Sequence, residues 1–451
     1  MVGPPCRVVV GPVRRWSPPP SLSSPSPGPR REAVARLERG DFQDTLTSGT
    51  EGPFGGRGSR CDCPPGRYAF AILPMDHQQD VARVAMSVLT VEAPHCRLGT
   101  GRDHDPRLDK PATLGSPRLK RLAAVVLGFF CVTLAGYTAY VGAIGSALLV
   151  DPAPRKLCST PDVRFAWSYE AINYDIADDA ALIAANPDLD DCAGQGTGAG
   201  GEVVTEDGVP IAGWYIPSAE GHGPTGPTII LVHGWNGNKS DVLRYAAPLH
   251  DRFNIVALDL RHGGRSGERA VTFGVQERLD IEAVVDWLAR TKAPRAIGVM
   301  GSSMGGAAAA AAAVGDPRIV ALLLDSTHAS AVQVIGRRLS VEAGHPPYPG
   351  AWGIVAGAWL RTGLDIRGVD PVGTVPRLGD RPVLLIHGSH DPIDVPAESA
   401  ERIVEAARAA GVDIQLQYCD GGGHGNLMDH CPEGWGAWAV DFFERAFQKV
   451  E

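Results

Sequence analysis

The chain has 451 residues, 44% hydrophobic and 21% charged, with a formal net charge of −9. That composition can bury a large core and excludes a collagen-like or wholly disordered chain. The negative balance argues against a general polyanion-binding role, so no nucleic-acid partner is expected.

Seventeen of the 37 prolines fall in the first 117 residues, including Pro18-Pro19-Pro20. Region 1–117 has no sustained apolar period of 3.6 or 2.0. Such a segment cannot bury enough apolar surface to offset its ordering entropy. Two readings stay open: a disordered N-terminal region, or a translation start further down, at Met75 or Met86. Cys61-Asp62-Cys63 lacks a second ligand pair, and no metal site is expected there.

Leu122 to Val150 is a run of 29 residues without a charge. A bilayer core about 30 Å thick needs about 20 helical residues. The run has no polar stripe of the kind a soluble helix carries. We read 122–146 as a transmembrane helix. Arg107, Lys110, Arg118, Lys120 and Arg121 precede it, and Arg155 and Lys156 follow it. The positive-inside rule then puts the N-terminus in the cytoplasm and the rest outside the cytoplasm. Residues 151–200 read as an exported linker with little periodicity.

From residue 201 the pattern alternates. Glu202–Pro217 reads as a hairpin turning at Glu206-Asp207-Gly208. Buried strands are expected at Thr228–Val232, Asn254–Leu260, Ala296–Met300, Ile319–Leu324, Pro382–Ile386 and Asp413–Tyr418. Helices are expected at Asp241–His250, Gln276–Thr291, Met304–Val314, Glu398–Ala410 and Trp435–Lys449. Short apolar strands between amphipathic helices predict an α/β domain over 201–451, with a mostly parallel sheet covered on both faces. Residues 327–375 break the rhythm with two apolar helical pieces, Ala331–Ala343 and Ala351–Thr362. They read as an inserted helical cap over the C-terminal edge of the sheet.

Loops at that edge build the site in such folds. Gly301-Ser302-Ser303-Met304-Gly305 is a G-x-S-x-G turn between a buried strand and an alanine-rich helix. That is the setting in which a serine hydroxyl is lifted above the sheet as a nucleophile. Ser302 lacks the symmetric glycines. Serine needs a base and an orienting acid. His424, set among Gly421, Gly422, Gly423 and Gly425 after the last strand, is the candidate base. His233, His262, His328, His387, His390 and His430 read mostly as polar loop residues. Asp391 is the candidate acid, with Asp394 and Asp325 as alternatives. The order Ser303, Asp391, His424 is the one this sheet type uses. Two other motifs fail. Gly196-Thr-Gly198-Ala-Gly-Gly201 has no strand before it, and Gly234-Trp-Asn-Gly-Asn-Lys239-Ser240 has asparagine where a phosphate loop needs glycine. No cofactor and no metal is expected.

The chain resembles the α/β-hydrolase superfamily, and more closely its bacterial serine-aminopeptidase-like and dienelactone-hydrolase-like members. The resemblance rests on Leu231-Val-His-Gly-Trp235, Asp259-Leu-Arg-His-Gly-Gly-Arg-Ser266, Gly301 to Gly306, Ile386-His-Gly-Ser-His-Asp391 and Gly423-His424. It implies an oxyanion hole made by the backbone N–H groups of Trp235 and Met304. One departure is that Pro396 stands five residues after Asp391, where similar proteins place proline four after the acid. The expected activity is that of a membrane-anchored serine esterase. A serine peptidase on short peptides and a non-catalytic anchored scaffold are the alternatives. Four cysteines follow the helix: Cys158, Cys192, Cys419 and Cys431. In an oxidising compartment they are expected to pair as Cys158–Cys192 and Cys419–Cys431.

Overall fold

The structure is a computed structural model, and it describes residues 117–153, 159–175, 177–178, 203–396 and 398–450. Most of the N-terminal region lies outside the described residues. So do Cys158, Cys192 and the bond expected between them, and the glycine run 196–201.

The first element among the described residues is helix α1, Pro117–Val150. Its 34 residues span about 50 Å at the usual rise. From Lys120 to Val150 it is long and apolar enough to cross a membrane. Leu122, Val125, Phe129 and Val132 are all strongly exposed. From Tyr137 onward one side of α1 packs on the rest of the fold, burying Val141, Ser146, Leu149 and Val150.

Among the described residues eight strands form one sheet: β1 Glu170–Ile172, β2 Gly213–Ile216, β3 Thr228–Val232, β4 Asn254–Leu258, β5 Ile297–Ser302, β6 Ile319–Asp325, β7 Val383–Gly388 and β8 Ile414–Cys419. Their order is β1-β2-β4-β3-β5-β6-β7-β8. Strands β3 to β8 run parallel, while β2 is antiparallel to both its neighbours. The alternation of side chains fixes two cores. Ile230 and Val232 face one, with Val256, Val299 and Leu322; Ile229 and Leu231 face the other, with Ile255, Met300 and Leu323. Each such side chain contributes roughly 1.5–3 kcal/mol on burial, which is why both faces read as continuous apolar runs.

Helices follow the strands: α2 Lys239–Ala246, α3 Glu277–Thr291, α4 Met304–Gly315, α5 Ala331–Val341, α6 Gly350–Thr362, α7 Ala400–Ala409 and α8 Pro432–Gln448. Helices α2 and α8 cover one face of the sheet, and α3, α4 and α7 the other. Helix α4 is buried almost all round, and six of the seven alanines Ala307–Ala313 have no exposed surface. Small side chains let it lie close against the strands. Helices α5 and α6 fall in the segment read as a cap, and α6 packs against α1.

Two expectations need correction. The hairpin expected over 202–217 forms only at its tip. Val204 and Pro210 pair across the turn at 206–208, where Thr205 N–H donates to the Val209 carbonyl at 2.9 Å and Ile211 N–H to the Val203 carbonyl at 3.0 Å, while β2 pairs with β1 and β4 instead. Pro210 has no N–H to extend a ladder. The linker 151–200 also holds structure: a one-turn helix at Pro161–Phe165, and β1, which completes the edge of the sheet. A three-residue strand is too short to show a period, and its pairing partner β2 lies some 40 residues away.

Candidate active site

The turn after β5 puts Ser303 at φ 51°, ψ −117°, a strained conformation for a residue with a side chain. The glycines on either side are required by contact. A Cβ on Gly301 would lie 2.4 Å from the Gly305 carbonyl oxygen, and one on Gly305 would lie 2.4 Å from that of His233. The Ser303 N–H donates to the Asp325 carbonyl at 2.8 Å, which ties the turn to the end of β6.

Three side chains from three loops meet here. His424 Nε2 lies 3.0 Å from Ser303 Oγ, and His424 Nδ1 lies 2.9 Å from Asp391 Oδ2. The other Asp391 oxygen accepts from the N–H groups of Ile393 and Asp394, at 2.9 and 2.8 Å. Both oxygens of this buried carboxylate are therefore engaged. Burial works against its charge, but the hydrogen bond and charge of His424 hold Asp391 below the usual carboxylate range. Burial also opposes charging of His424. The Asp391 hydrogen bond and the Asp394 and Asp391 charges outweigh it and raise His424 above its ordinary value.

The two alternative acids stand differently. Asp394 Oδ2 is 3.5 Å from His424 Nδ1 and has no hydrogen-bond partner. Burial pushes Asp394 up to about 7, with the Asp391 charge adding to the rise. Asp325 accepts from Trp435 Nε1 at 2.9 Å and is pushed up to about 6 by burial. Its role at the site is the backbone bond to Ser303. Asp391, Asp394 and His424 are close enough to form a metal-ligand trio, but both His424 nitrogens are already engaged by Asp391 and Ser303.

The loop carrying His424 is pinned from several sides. Arg244 donates to the Gly425 carbonyl at 2.8 Å, and Gly423 N–H donates to Asn426 Oδ1 at 2.8 Å. A Cβ on Gly388 would strike the Gly422 carbonyl at 2.3 Å, so the acid and base loops touch through backbone. Cys419 and Cys431 are disulfide-bonded across this loop, with Cα atoms 5.9 Å apart. Closing a loop of 12 residues removes about 3 kcal/mol of unfolded-chain entropy. Reduction is therefore expected to lower turnover before the sheet melts. Parallel activity and circular-dichroism melts with and without reductant check this, and coincident losses would refute it.

The Gly234–Trp235 peptide lies beside the nucleophile: a Cβ on Gly234 would sit 3.3 Å from Ser303 Cβ and 3.9 Å from its Oγ. Met304 opens α4, where the first N–H groups have no intrahelical acceptor. Both amides named as oxyanion donors thus border the serine. His233, read from sequence as a polar loop residue, is buried and orients this loop. Its Nε2 accepts from Leu260 N–H at 2.9 Å, which leaves Nδ1 to donate to the Gly234 carbonyl at 2.8 Å. Burial lowers its pKa, so the neutral tautomer that makes both bonds persists. His328 is also buried, with neither ring nitrogen hydrogen-bonded, and packs 5.2 Å from the Phe273 ring. Burial pushes it down to about 3. Lys239, the lysine of the phosphate-loop look-alike, is wholly buried and bonded to Asp259 at 2.5 Å, so it cannot reach a phosphate.

A family model for alpha/beta hydrolases matches residues 229–435, which include Ser303, Asp391 and His424. The chain belongs to the alpha/beta hydrolase family. The uncharacterized Bacillus subtilis protein YqkD is 30% identical over 206 residues, covering 45% of this chain and 65% of the relative, just under two thirds. The uncharacterized Mycobacterium tuberculosis protein Rv2307c is 31% identical over 216 residues, covering 46% and 68%. The Pyrococcus furiosus esterase Pf2001 superposes with a TM-score of 0.50 at 22% identity, over 66% of this chain and 98% of the esterase. At that identity the likeness is one of fold.

Proposed function

We propose that this protein is a membrane-anchored serine hydrolase that cleaves carboxylic esters through an acyl-enzyme. The observation that carries the reading is the Ser303–His424–Asp391 array, with the imidazole 3.0 Å from the hydroxyl and 2.9 Å from the carboxylate. His424 Nε2 takes the Ser303 proton as Oγ attacks the carbonyl carbon. The N–H groups of Trp235 and Met304 receive the oxyanion, a contribution of about 3–4 kcal/mol per donor. His424 passes the proton to the leaving alkoxide, and Asp391 holds the imidazole in the tautomer that allows this. Water, activated by the same histidine, then releases the acid.

Helix α1 is the anchor, with the N-terminus cytoplasmic and the catalytic domain on the other side. A fluorophosphonate probe on the full chain tests the chemistry: labelling confined to Ser303, with hydrolysis of p-nitrophenyl esters, is expected. No labelling would sink the reading. Protease added outside spheroplasts tests the orientation. Digestion of the domain with a protected short fragment is expected, and full protection would reverse the topology.

A further inference from the structure

An apolar groove lies between the end of α1, the cap and the oxyanion loop. Leu148, Leu149, Trp235, Phe273, Ile335 and Ile354 line its cavity of about 160 Å³. A second depression, at Glu220, Arg252 and Phe447, is polar and sits by the N-terminal ends of β3 to β5, away from the serine. The apolar groove shares Trp235 with the catalytic side, and its other wall, Phe273, packs on the buried His328.

This groove is built. Phe273 is held at φ 60°, a conformation bulky residues avoid. Glu277 clamps it there. One carboxylate oxygen accepts from Thr272 N–H at 2.7 Å, and the other from Thr272 Oγ1 and Gly274 N–H at 2.8 and 2.7 Å. Strain of this kind persists only where surrounding structure over-determines it. The end of α1 is joined to both walls. The Leu149 carbonyl accepts from Trp235 Nε1 at 2.9 Å, and the Val150 carbonyl from Val271 N–H at 2.8 Å.

The depth of the groove follows from α1. Counted from Leu122, about 20 residues fill the hydrocarbon layer and end near Val141. The cap meets α1 at that level. Tyr137 Oη donates to the Pro346 carbonyl at 3.5 Å, and Gly353 touches the Thr138 backbone so closely that a Cβ would lie 2.4 Å from its oxygen. Further along, Gly357 packs on Ser146, and Arg361 donates to Ser146 Oγ at 3.0 Å. Helix α6 therefore begins at the bilayer boundary and rises alongside α1. Tyr348, Trp352, Trp359 and Leu360 stay between 49% and 76% exposed. Exposed aromatic residues at this level are what the membrane–water interface favours.

Resting on the esterase reading, we infer that the substrates are long-chain acyl esters drawn from the bilayer, whose acyl chain enters along α1 and lies in this groove. The scissile carbonyl then reaches Ser303 past Trp235. Each methylene taken out of water is worth about fourfold in affinity, so the groove should make kcat/KM climb with chain length.

The test uses the full chain reconstituted in vesicles. Leu148→Trp and Ala343→Trp fill the groove from positions that are exposed, so folding is spared. Wild type is expected to prefer p-nitrophenyl laurate over the butyrate by tenfold or more in kcat/KM. Both variants should lose that preference, read as the laurate-to-butyrate ratio of kcat/KM falling to about one. A lauroyl glycerolipid embedded in the vesicle should be cleaved, and Trp352→Ser with Trp359→Ser should slow it without touching butyrate. Butyrate cleavage with no chain-length preference would overturn this inference and leave the esterase reading standing. Cleavage of lauroyl-coenzyme A but not of the embedded lipid would overturn the bilayer source. No cleavage of any ester and no fluorophosphonate labelling would remove the esterase reading itself.

Discussion

Replacing Ser303 with alanine is expected to lower kcat by about 10⁴-fold or more, with the fold intact. The hydroxyl is the only atom of the array that can form the acyl bond, and His424 without it has nothing to deprotonate except water. Stability should hardly move. The Ser303 Oγ bond is to His424 alone among the side-chain bonds described, and alanine keeps the backbone geometry of the turn. The strain of φ 51° is the same for alanine as for serine. A melting temperature within a few degrees of wild type, with ester hydrolysis at the uncatalysed level, is the expected result. Hydrolysis surviving within tenfold would remove Ser303 from the mechanism. A collapse of the melting temperature would mean that the variant reports on folding instead.

How far the sequence was readable depends on how local each feature is. Strand β3 was legible to the residue, because Thr228–Val232 is a fully buried run closed by Pro227 before it and the His233-Gly234 turn after it. Ser303 was legible for a similar reason: the strand, the two glycines and the alanine helix are contiguous. Strand β1 was not, since its three residues carry no period and the sheet recruits them by pairing with β2. Asp391 stands ahead of Asp325 and Asp394 in the reading from sequence, but nothing local in the sequence separates the three. All three follow strand ends, and what separates them is which oxygen meets His424 Nδ1. His233 and Lys239 show the same limit. His233 reads as a polar loop residue and Lys239 as part of a failed phosphate loop, and each is buried because a distant group, Leu260 N–H or the Asp259 carboxylate, completes it. The groove was the least visible of all. It is made by five separate segments, two of them held by carbonyls at the end of a helix that reads only as an anchor.

The two neighbouring aspartates should separate sharply on substitution. Asp391→Asn is expected to cut kcat by about 10⁴-fold, because asparagine presents an N–H or a neutral oxygen to His424 and no longer fixes the productive tautomer. The turn itself survives, because asparagine Oδ1 still accepts from the amides of Ile393 and Asp394, and this aims the NH2 group at His424. Asp394→Asn should keep activity within about tenfold at its optimum, since Asp394 sits 3.5 Å from the imidazole and the bond belongs to Asp391. Its signature lies in the pH profile. His424 must be neutral to accept the Ser303 proton, so kcat/KM rises with pH as the imidazole loses its proton. The folded-state pKa of His424 is raised, so the protonated, inactive form persists above the ordinary histidine range and the acid limb lies on the alkaline side of it. The Asp394 charge is one cause of that rise. Asp394 itself is pushed up to about 7, so its negative charge is gained close to neutrality, and the adjacent carboxylate and imidazole titrate as a coupled pair. Removing the carboxylate should therefore move the acid limb to lower pH and make it simpler in shape. An unchanged limb in Asp394→Asn, or a loss there as deep as in Asp391→Asn, would reverse the assignment of the orienting acid.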